Sequence, residues 1–186
     1  MTFNKFLVVS ALVLAPAIAS AQDWTGAYGG ITVGTADIDA TVKVTDPQLE
    51  LQGEGSSAGI FAGYNYQVGN VVYGGEFDLD ATDYSIEDGL VRVDSTVRLK
   101  ARVGTPVGNG LAYGVVGAVG ATSNSVVAPL GDFAVEDGIG ALYGAGYDLK
   151  ISENVLIGSE LLFHDFEDDV LQVDVTTLRL RVGFAF

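Results

Sequence analysis

The residues that could do chemistry in this sequence are one histidine and several series of acids. His164 is the single histidine and stands beside Asp165 in the stretch LLFHDFEDD. A hydrolase would combine such a histidine with a serine and an acid, because the three together move a proton during acyl transfer. No serine motif in the chain supplies the nucleophile. We therefore interpret His164 as a surface-facing or lumen-rim residue and predict that the chain is not an enzyme.

An acidic series that begins at Asp78 resembles a calcium-binding loop at first sight. The EF-hand pattern requires glycine at its sixth position and glutamate at its twelfth. Those positions are Asp83 and Gly89 here, so the pattern fails. The stretch YGAGYDL contains Gly-x-Gly, but no helical pattern follows it, which excludes a nucleotide fingerprint. The sequence thus predicts no catalytic residue, no cofactor and no metal site.

The N-terminus has the three parts of a secretory signal peptide. Residues 1–5 carry one positive charge, residues 6–18 are almost wholly apolar, and residues 19–21 form a small-x-small cleavage site. The apolar run is short for a membrane span and Pro16 interrupts it, which disfavours an uncleaved anchor. We expect cleavage to remove residues 1–21 and residues 22–186 to form one domain.

The composition narrows the class of protein further. An exported chain without cysteine lacks disulfide support, so it needs a large core or a closed barrel. Its 24 acids outnumber nine bases, which argues against nucleic acid as a partner because few bases could neutralise phosphates. No apolar run after residue 22 reaches the roughly 20 residues of a spanning helix. If the chain enters a membrane, it must do so as strands.

The region after residue 22 repeats one unit, a strand-like alternation of apolar and polar residues followed by a turn. Connections between these units alternate between short and long, as in outer-membrane barrels, which have short periplasmic turns and longer extracellular loops. The predicted strands are 24–35, 56–66, 71–83, 90–104, 110–123, 138–151, 154–166 and 173–186. The predicted long loops are 36–55, 84–89, 124–137 and 167–172, and the short turns are 67–70, 105–109 and 152–153. This order predicts an all-β fold, an eight-stranded antiparallel up-and-down barrel.

Charge on alternate residues indicates which face of these strands is which. A soluble sheet could leave such a face in water, whereas a membrane barrel would turn it into a narrow lumen. Aromatic residues on the apolar faces favour the lumen, because an interfacial girdle needs them there. We assign the girdle to Tyr66, Tyr73, Tyr113, Tyr147, Phe163, Phe184 and Phe186. We assign the lumen charge network to Glu76, Asp78, Asp80, Arg98, Lys100, Arg102, Glu160, Arg179 and Arg181.

Four stretches of the sequence resemble a known family. They are WTGAYGG at 24–30, AGYNY at 62–66, GGEFDL at 74–79 and RVGFAF at 181–186. In this order they resemble the bacterial outer-membrane β-barrel proteins of the opacity type, which are small porin-like surface antigens. The turn at 104–110 departs from the family because it lacks the usual aromatic residues, which leaves the register of the fourth and fifth strands open.

The resemblance implies a place in the cell and a route to it. The chain would be a transmembrane β-barrel of the Gram-negative outer membrane, in contact with lipid and lipopolysaccharide. Phe186, with Phe184 and Val182 before it, would be the signal that the barrel assembly machinery reads.

Several functions remain open at this point. The leading hypothesis is a structural protein and surface antigen with a packed polar lumen and exposed acidic loops. The alternatives are a surface adhesion or binding module whose acidic loops meet an extracellular ligand, and a narrow porin-like channel for small solutes. The remaining hypotheses are a lipid-modifying enzyme and a soluble periplasmic barrel.

Overall fold

Strands make up the whole of the described fold. The computed structural model describes residues 23–42, 49–86, 91–123, 138–167 and 171–186. Each strand pairs antiparallel with the next along the chain, and the last pairs with the first, so the sheet closes into a barrel. The eight described strands are β1 Gly26–Val42, β2 Leu49–Val68, β3 Val71–Ile86, β4 Val91–Val107, β5 Gly110–Ser123, β6 Gly138–Lys150, β7 Val155–Glu167 and β8 Leu171–Ala185. The predicted fold class is confirmed.

Residues 36–42 and 49–55 belong to strands and not to the long loop 36–55 that the sequence predicted, and residues 43–48 lie outside the described residues. β1 and β2 stay paired from Ala36 opposite Gly55 to Val42 opposite Leu49. The alternation continues here with its polarity reversed, since Ile38 points inward while its neighbours on either side are exposed acids. Exposed acids are typical of loops, so the prediction missed a strand extension that is polar outside and apolar inside.

The other connections differ less from the prediction. β3 continues to Ile86, so the predicted loop 84–89 begins later than expected, and its remainder lies outside the described residues. The predicted loop 124–137 and residues 168–170 of the predicted loop 167–172 also lie outside them, whereas Glu167, Leu171 and Gln172 belong to strands. β4 continues to Val107, opposite Gly110, which leaves Gly108 and Asn109 as a two-residue turn. Gly108 has φ +60°, a left-handed conformation that glycine adopts at little cost. The register of β4 and β5 is thereby defined.

An apolar belt covers the outward face of the barrel. Exposed outward residues include Ile60 on β2, Leu99 on β4 and Leu180 on β8. On β3 the outward residues are apolar or small from Val71 to Ala81, roughly 33 Å along the strand. With the usual tilt this equals about 25 Å along the barrel axis, the height of a transmembrane barrel's apolar band.

The aromatic residues divide between the two faces. Tyr113 is buried inside the barrel, so its assignment to the girdle was wrong. The strand alternation explains the error, because Leu111, Tyr113 and Val115 form an apolar inner face on β5. The other six predicted girdle residues lie on outward positions: Tyr66, Tyr73, Tyr147, Phe163, Phe184 and Phe186. Across the described ranges there is no helix long and apolar enough to cross a membrane.

Candidate functional site: the charged interior

Neighbouring strands β3 and β4 bring acids and bases face to face inside the barrel. Glu76 lies directly opposite Lys100, and Asp78 lies directly opposite Arg98. All four side chains are buried. Opposite charges in such cross-strand positions attract each other. The next acid on this face of β3, Asp80, lies against Gly59, where an added Cβ would be 1.9 Å from its carboxylate oxygen.

Lys100 lies at the centre of three carboxylates. Its Nζ is 2.6 Å from Glu76 Oε1, 2.9 Å from Asp78 Oδ2 and 2.8 Å from Glu160 Oε2. The three acids stand close enough together to offer one oxygen each to a single metal ion. The ammonium group occupies this position, and Arg179 and Arg181 also pair with the three acids. The arrangement is a buried ion cluster and not an open cation site.

Two arginines of β8 reach across the lumen to the acids of β3. Arg179 Nη1 donates to Asp78 Oδ2 at 2.5 Å, and Arg179 Nη2 donates to Asp80 Oδ1 at 3.2 Å. Arg181 Nη2 donates to Glu76 Oε2 at 2.6 Å. These partners are about a hundred residues apart in the chain, so the ion pairs form only when the barrel is closed. They connect the last strand to the opposite wall.

Arg102 extends the network toward the end of the barrel that carries the short turns. Its Nη2 donates to Asp148 Oδ2 at 2.8 Å, and its Nη1 donates to Tyr28 Oη at 3.2 Å. Its guanidinium also lies over the ring of Tyr113, 3.7 Å from the centroid. Asp148 was not among the predicted network residues, although it lies on the inward face of β6 and is buried. The strand alternation in YGAGYDLK could have revealed it.

His164 is also part of the interior, so the surface-facing alternative for it was wrong. Its side chain is 4% exposed. Arg98 Nε donates to His164 Nε2 at 3.0 Å, and His164 Nδ1 donates to the carbonyl oxygen of Val175 at 3.2 Å. Arg98 pairs with Asp80 as well. Both ring nitrogens of His164 therefore have hydrogen-bond partners inside the barrel.

The interior charges balance within the described part of the chain. All nine predicted network residues are buried there, and Asp148 joins them. The acids are Glu76, Asp78, Asp80, Asp148 and Glu160, and the bases are Arg98, Lys100, Arg102, Arg179 and Arg181. Such a network is stable only when each charge has its partner. It fills the middle of the lumen with side chains.

Apolar side chains close the network from both ends. At the long-loop end an outer cluster packs together, formed by Ala36, Ile38, Tyr84 and Val175. At the short-turn end Trp24 is buried in a cluster with Val72, Leu111, Tyr113 and further apolar residues of β5, β6 and β7. An eight-stranded barrel has an interior just wide enough for side chains. Side chains therefore fill the lumen between these two closures.

A closed eight-stranded barrel with an apolar belt outside and ion pairs inside defines a membrane barrel of the outer-membrane class. The comparison with protein families gives the same result. Residues 6–186 match the family described as "Outer membrane protein beta-barrel domain". The chain belongs to this family and is an outer-membrane β-barrel protein, which confirms the predicted class and location.

Relatives of similar length carry outer-membrane names. The "25 kDa outer-membrane immunogenic protein" of Brucella canis is 28% identical, and the match covers 91% of this chain and 81% of that protein. The protein of the same name from Brucella abortus biovar 1 (strain 9-941) is also 28% identical, with the same coverage.

Solved structures share the fold at low sequence identity. OprG from Pseudomonas aeruginosa has a TM-score of 0.57 at 14% identity, covering 87% of this chain and 96% of that one. Ail, the attachment invasion locus protein of Yersinia pestis, has a TM-score of 0.52 at 18% identity and covers 87% and 99%. Neisserial surface protein A has a TM-score of 0.56 at 13% identity, again covering 87% and 99%. These likenesses concern the architecture.

Proposed function

We propose that this chain is a structural protein of the outer membrane whose lumen is sealed and whose acidic outer surface is exposed to the medium. The observation that carries the proposal is the packed interior. Five acids and five bases of the described residues pair inside it, and apolar clusters close it at each end. A solute would have to break buried ion pairs to pass, and stranding a buried charge costs about 3–5 kcal/mol. We propose no enzymatic activity for it.

Recordings from planar lipid bilayers test the sealed lumen. Protein whose folding has been verified by heat-modifiable gel mobility is expected to produce no stable openings, since the interior offers no continuous path for solutes. Liposomes that contain it should not swell in sugar solutions. Stable openings, or swelling at rates above those of empty liposomes, would instead favour the narrow porin-like channel.

The surface-antigen part of the proposal rests on the strand extensions beyond the apolar belt. Two of the family relatives are named immunogenic proteins. In this chain, exposed acids on the outward face of the extensions include Asp37 and Asp39 on β1 and Asp174 on β8. Asp174 lies directly opposite Asp39. A polar sheet that stands above the lipid surface is accessible to antibodies. Labelling of intact cells by antibodies against the β1–β2 hairpin tests this, and labelling only after lysis would contradict it.

A binding module is the second candidate, and the charge of this surface favours one kind of ligand. One structure of Ail, at a TM-score of 0.51 and 17% identity, is a complex with the heparin analogue sucrose octasulfate, a polyanion. The exposed acids of this chain would repel a polyanion and attract a cationic partner. Cells that carry the protein are expected to bind polylysine and not heparin. Preferential binding of heparin would contradict this candidate.

Export and assembly form the remaining part of the proposal. Residues 1–21 are proposed to be a cleaved signal peptide, which the intact mass of the purified protein would test. Phe186 is 84% exposed and lies with Phe184 and Val182 on the outward face of the terminal segment. These exposed side chains support a role as the assembly signal read by the barrel assembly machinery. Deletion of Phe186 should lower the folded protein in the outer-membrane fraction, and unchanged yield would contradict the role.

The partners proposed on physical grounds are lipid and lipopolysaccharide around the belt. The apolar belt supplies the contact with lipid tails. Nucleic acid is not proposed as a partner, because the exposed surface is acidic.

A further inference from the structure

The two apolar closures of the lumen are built differently. In the outer cluster, Ile38 and Val175 are ladder residues that lie directly opposite each other on β1 and β8. They cannot leave the cluster without breaking the barrel wall. Trp24, in contrast, precedes β1, which begins at Gly26. The indole that closes the short-turn end therefore lies outside the barrel wall, in a short segment before β1, residues 23–25, which we call the strap.

Gly26 is the hinge of this strap. Its φ is +145°, in a region that side chains with a Cβ rarely adopt. A Cβ at this position would lie 2.6 Å from the carbonyl oxygen of Phe186. Glycine thus allows the chain to leave the barrel wall sharply and to run across the mouth. The local sequence Trp-Thr-Gly places Trp24 two residues before this hinge.

A few polar contacts hold the strap in place. Lys150 Nζ donates to the carbonyl oxygen of Asp23 at 2.6 Å and lies 4.7 Å from the centroid of the Trp24 ring. The backbone N–H of Trp24 donates to Gln67 Oε1 at 2.9 Å, and the N–H of Gln67 donates to Thr25 Oγ1 at 3.1 Å. These contacts are exposed or partly buried, so water competes with them.

The strap itself has a preformed turn. The backbone N–H of Thr25 donates to Asp23 Oδ1 at 2.8 Å. This hydrogen bond lowers the pKa of the fully exposed Asp23 carboxyl. The carboxylate therefore stays ionised at neutral pH, and the turn can persist whether or not the strap is docked.

The docked position of Trp24 is stable but not fully satisfied. Its side chain is buried in the apolar cluster that contains Val72 and Leu111, yet its Nε1 has no hydrogen-bond partner among the described residues. An unpaired buried donor opposes docking. Beside the strap lies a cavity of about 150 Å³, whose lining includes Tyr28, Asn65 and Asp148. Release of the strap would remove residues 23–25 from the lining of this cavity and would widen its opening toward the buried Asp148.

We infer that residues 23–25 form a releasable strap whose Trp24 side chain controls access of periplasmic water and small solutes to the lower interior of the barrel. Lys150 holds the strap in its docked position, and Gly26 is the hinge about which the strap moves. The outer cluster stays fixed, so release opens a chamber on one side and not a channel. This goes beyond the sealed lumen proposed above, because it assigns the seal at this end to a movable element.

The single tryptophan of the chain makes the strap directly observable. Lys150→Met keeps the length of the side chain but removes the donor and the cation. The quenching constant of Trp24 fluorescence by acrylamide is expected to rise about threefold or more, with the heat-modifiable gel transition of the barrel unchanged. Gln67→Ala removes the side-chain oxygen that accepts from the Trp24 backbone N–H, and it should also raise the quenching constant. Glu153→Gln alters an acid of the same cavity that makes no described strap contact, so it should leave quenching unchanged.

A second measurement follows access to the chamber itself. The chain has no cysteine, so Asn65→Cys places a single thiol at a buried position of the cavity wall. Its reaction with a small methanethiosulfonate reagent should be several-fold faster when Lys150→Met is added. Asn70→Cys, on an exposed turn, should react equally in both backgrounds.

Two results would overturn the inference. If acrylamide quenches Trp24 no faster in Lys150→Met and Gln67→Ala than in the native chain, these two residues do not hold the strap. Loss of protection only together with unfolding of the barrel would show that the strap is an integral part of the wall. Either result leaves the conductance test of the sealed lumen unaffected.

Discussion

Lys100 is a central residue of the interior ion network. Its ammonium group contacts Glu76, Asp78 and Glu160, each within 3 Å. Without it, three carboxylates would lie together in a region that water does not reach. Their mutual repulsion and desolvation would then act against the folded barrel.

Replacement of Lys100 by methionine should therefore destabilise the protein strongly. The expected loss is about 3–5 kcal/mol, the cost of removing one partner of a buried ion pair. Equilibrium unfolding by urea in lipid vesicles measures it.

The double variant Lys100→Met with Glu160→Gln provides the control, because it removes one stranded charge as well. It should recover part of the loss relative to Lys100→Met alone. A Lys100→Met variant as stable as the native chain, with no coupling to Glu160, would contradict the ion cluster.

At the residue scale the sequence predicted most of the interior. Charges on alternate positions of β3, β4 and β8 were sufficient, because the period of two sends them all to one face. Asp148 and His164 were not assigned to the network, since only one further charged residue shares the inward face of each strand, Lys150 on β6 and Glu160 on β7. Which acid contacts which base was beyond prediction, because the contacts between β3 and β8 cross the lumen and depend on closure.

At the scale of the element, β1 faces lipid along its first half and water along its second half. In its first half Ile31 and Val33 point outward, and in its second half Asp37 and Asp39 do. Ile38 correspondingly points inward. The reversal of polarity marks the upper edge of the apolar belt. It also explains why the sequence predicted the end of the strand too early, since a search for one constant pattern stops where the solvent changes.

The belt edge can be tested on β4 with two lysines on the same outward face. Leu99 is 65% exposed within the belt, and Ser95 lies four residues nearer the long-loop end. Leu99→Lys should cost about 2–4 kcal/mol, because the ammonium would enter hydrocarbon, whereas Ser95→Lys should cost about 0–1 kcal/mol. Urea unfolding in vesicles compares the two variants. Equal losses would place the edge of the belt elsewhere.

At the scale of the whole molecule, the charges are segregated by location. The buried network of the described residues balances, so the net charge of −15 belongs to the rest of the chain. A packed lumen needs paired charges, and a surface exposed to water tolerates a net charge, so a neutral interior and an acidic exterior suit their surroundings. Closure of the barrel brings both about, since it places β8 beside β1 and its arginines against β3.

The orientation of the wall is the central claim, and a spin-label scan along β4 tests it most directly. Because the chain has no cysteine, single cysteines from 96 to 103 can each carry one label in lipid vesicles. We predict a period of two, with high oxygen accessibility at 97, 99, 101 and 103 and low accessibility to both oxygen and a polar nickel reagent at 96, 98, 100 and 102. High accessibility to the nickel reagent at the even positions would show a water-filled lumen or a solvated face, and would contradict the packed membrane barrel.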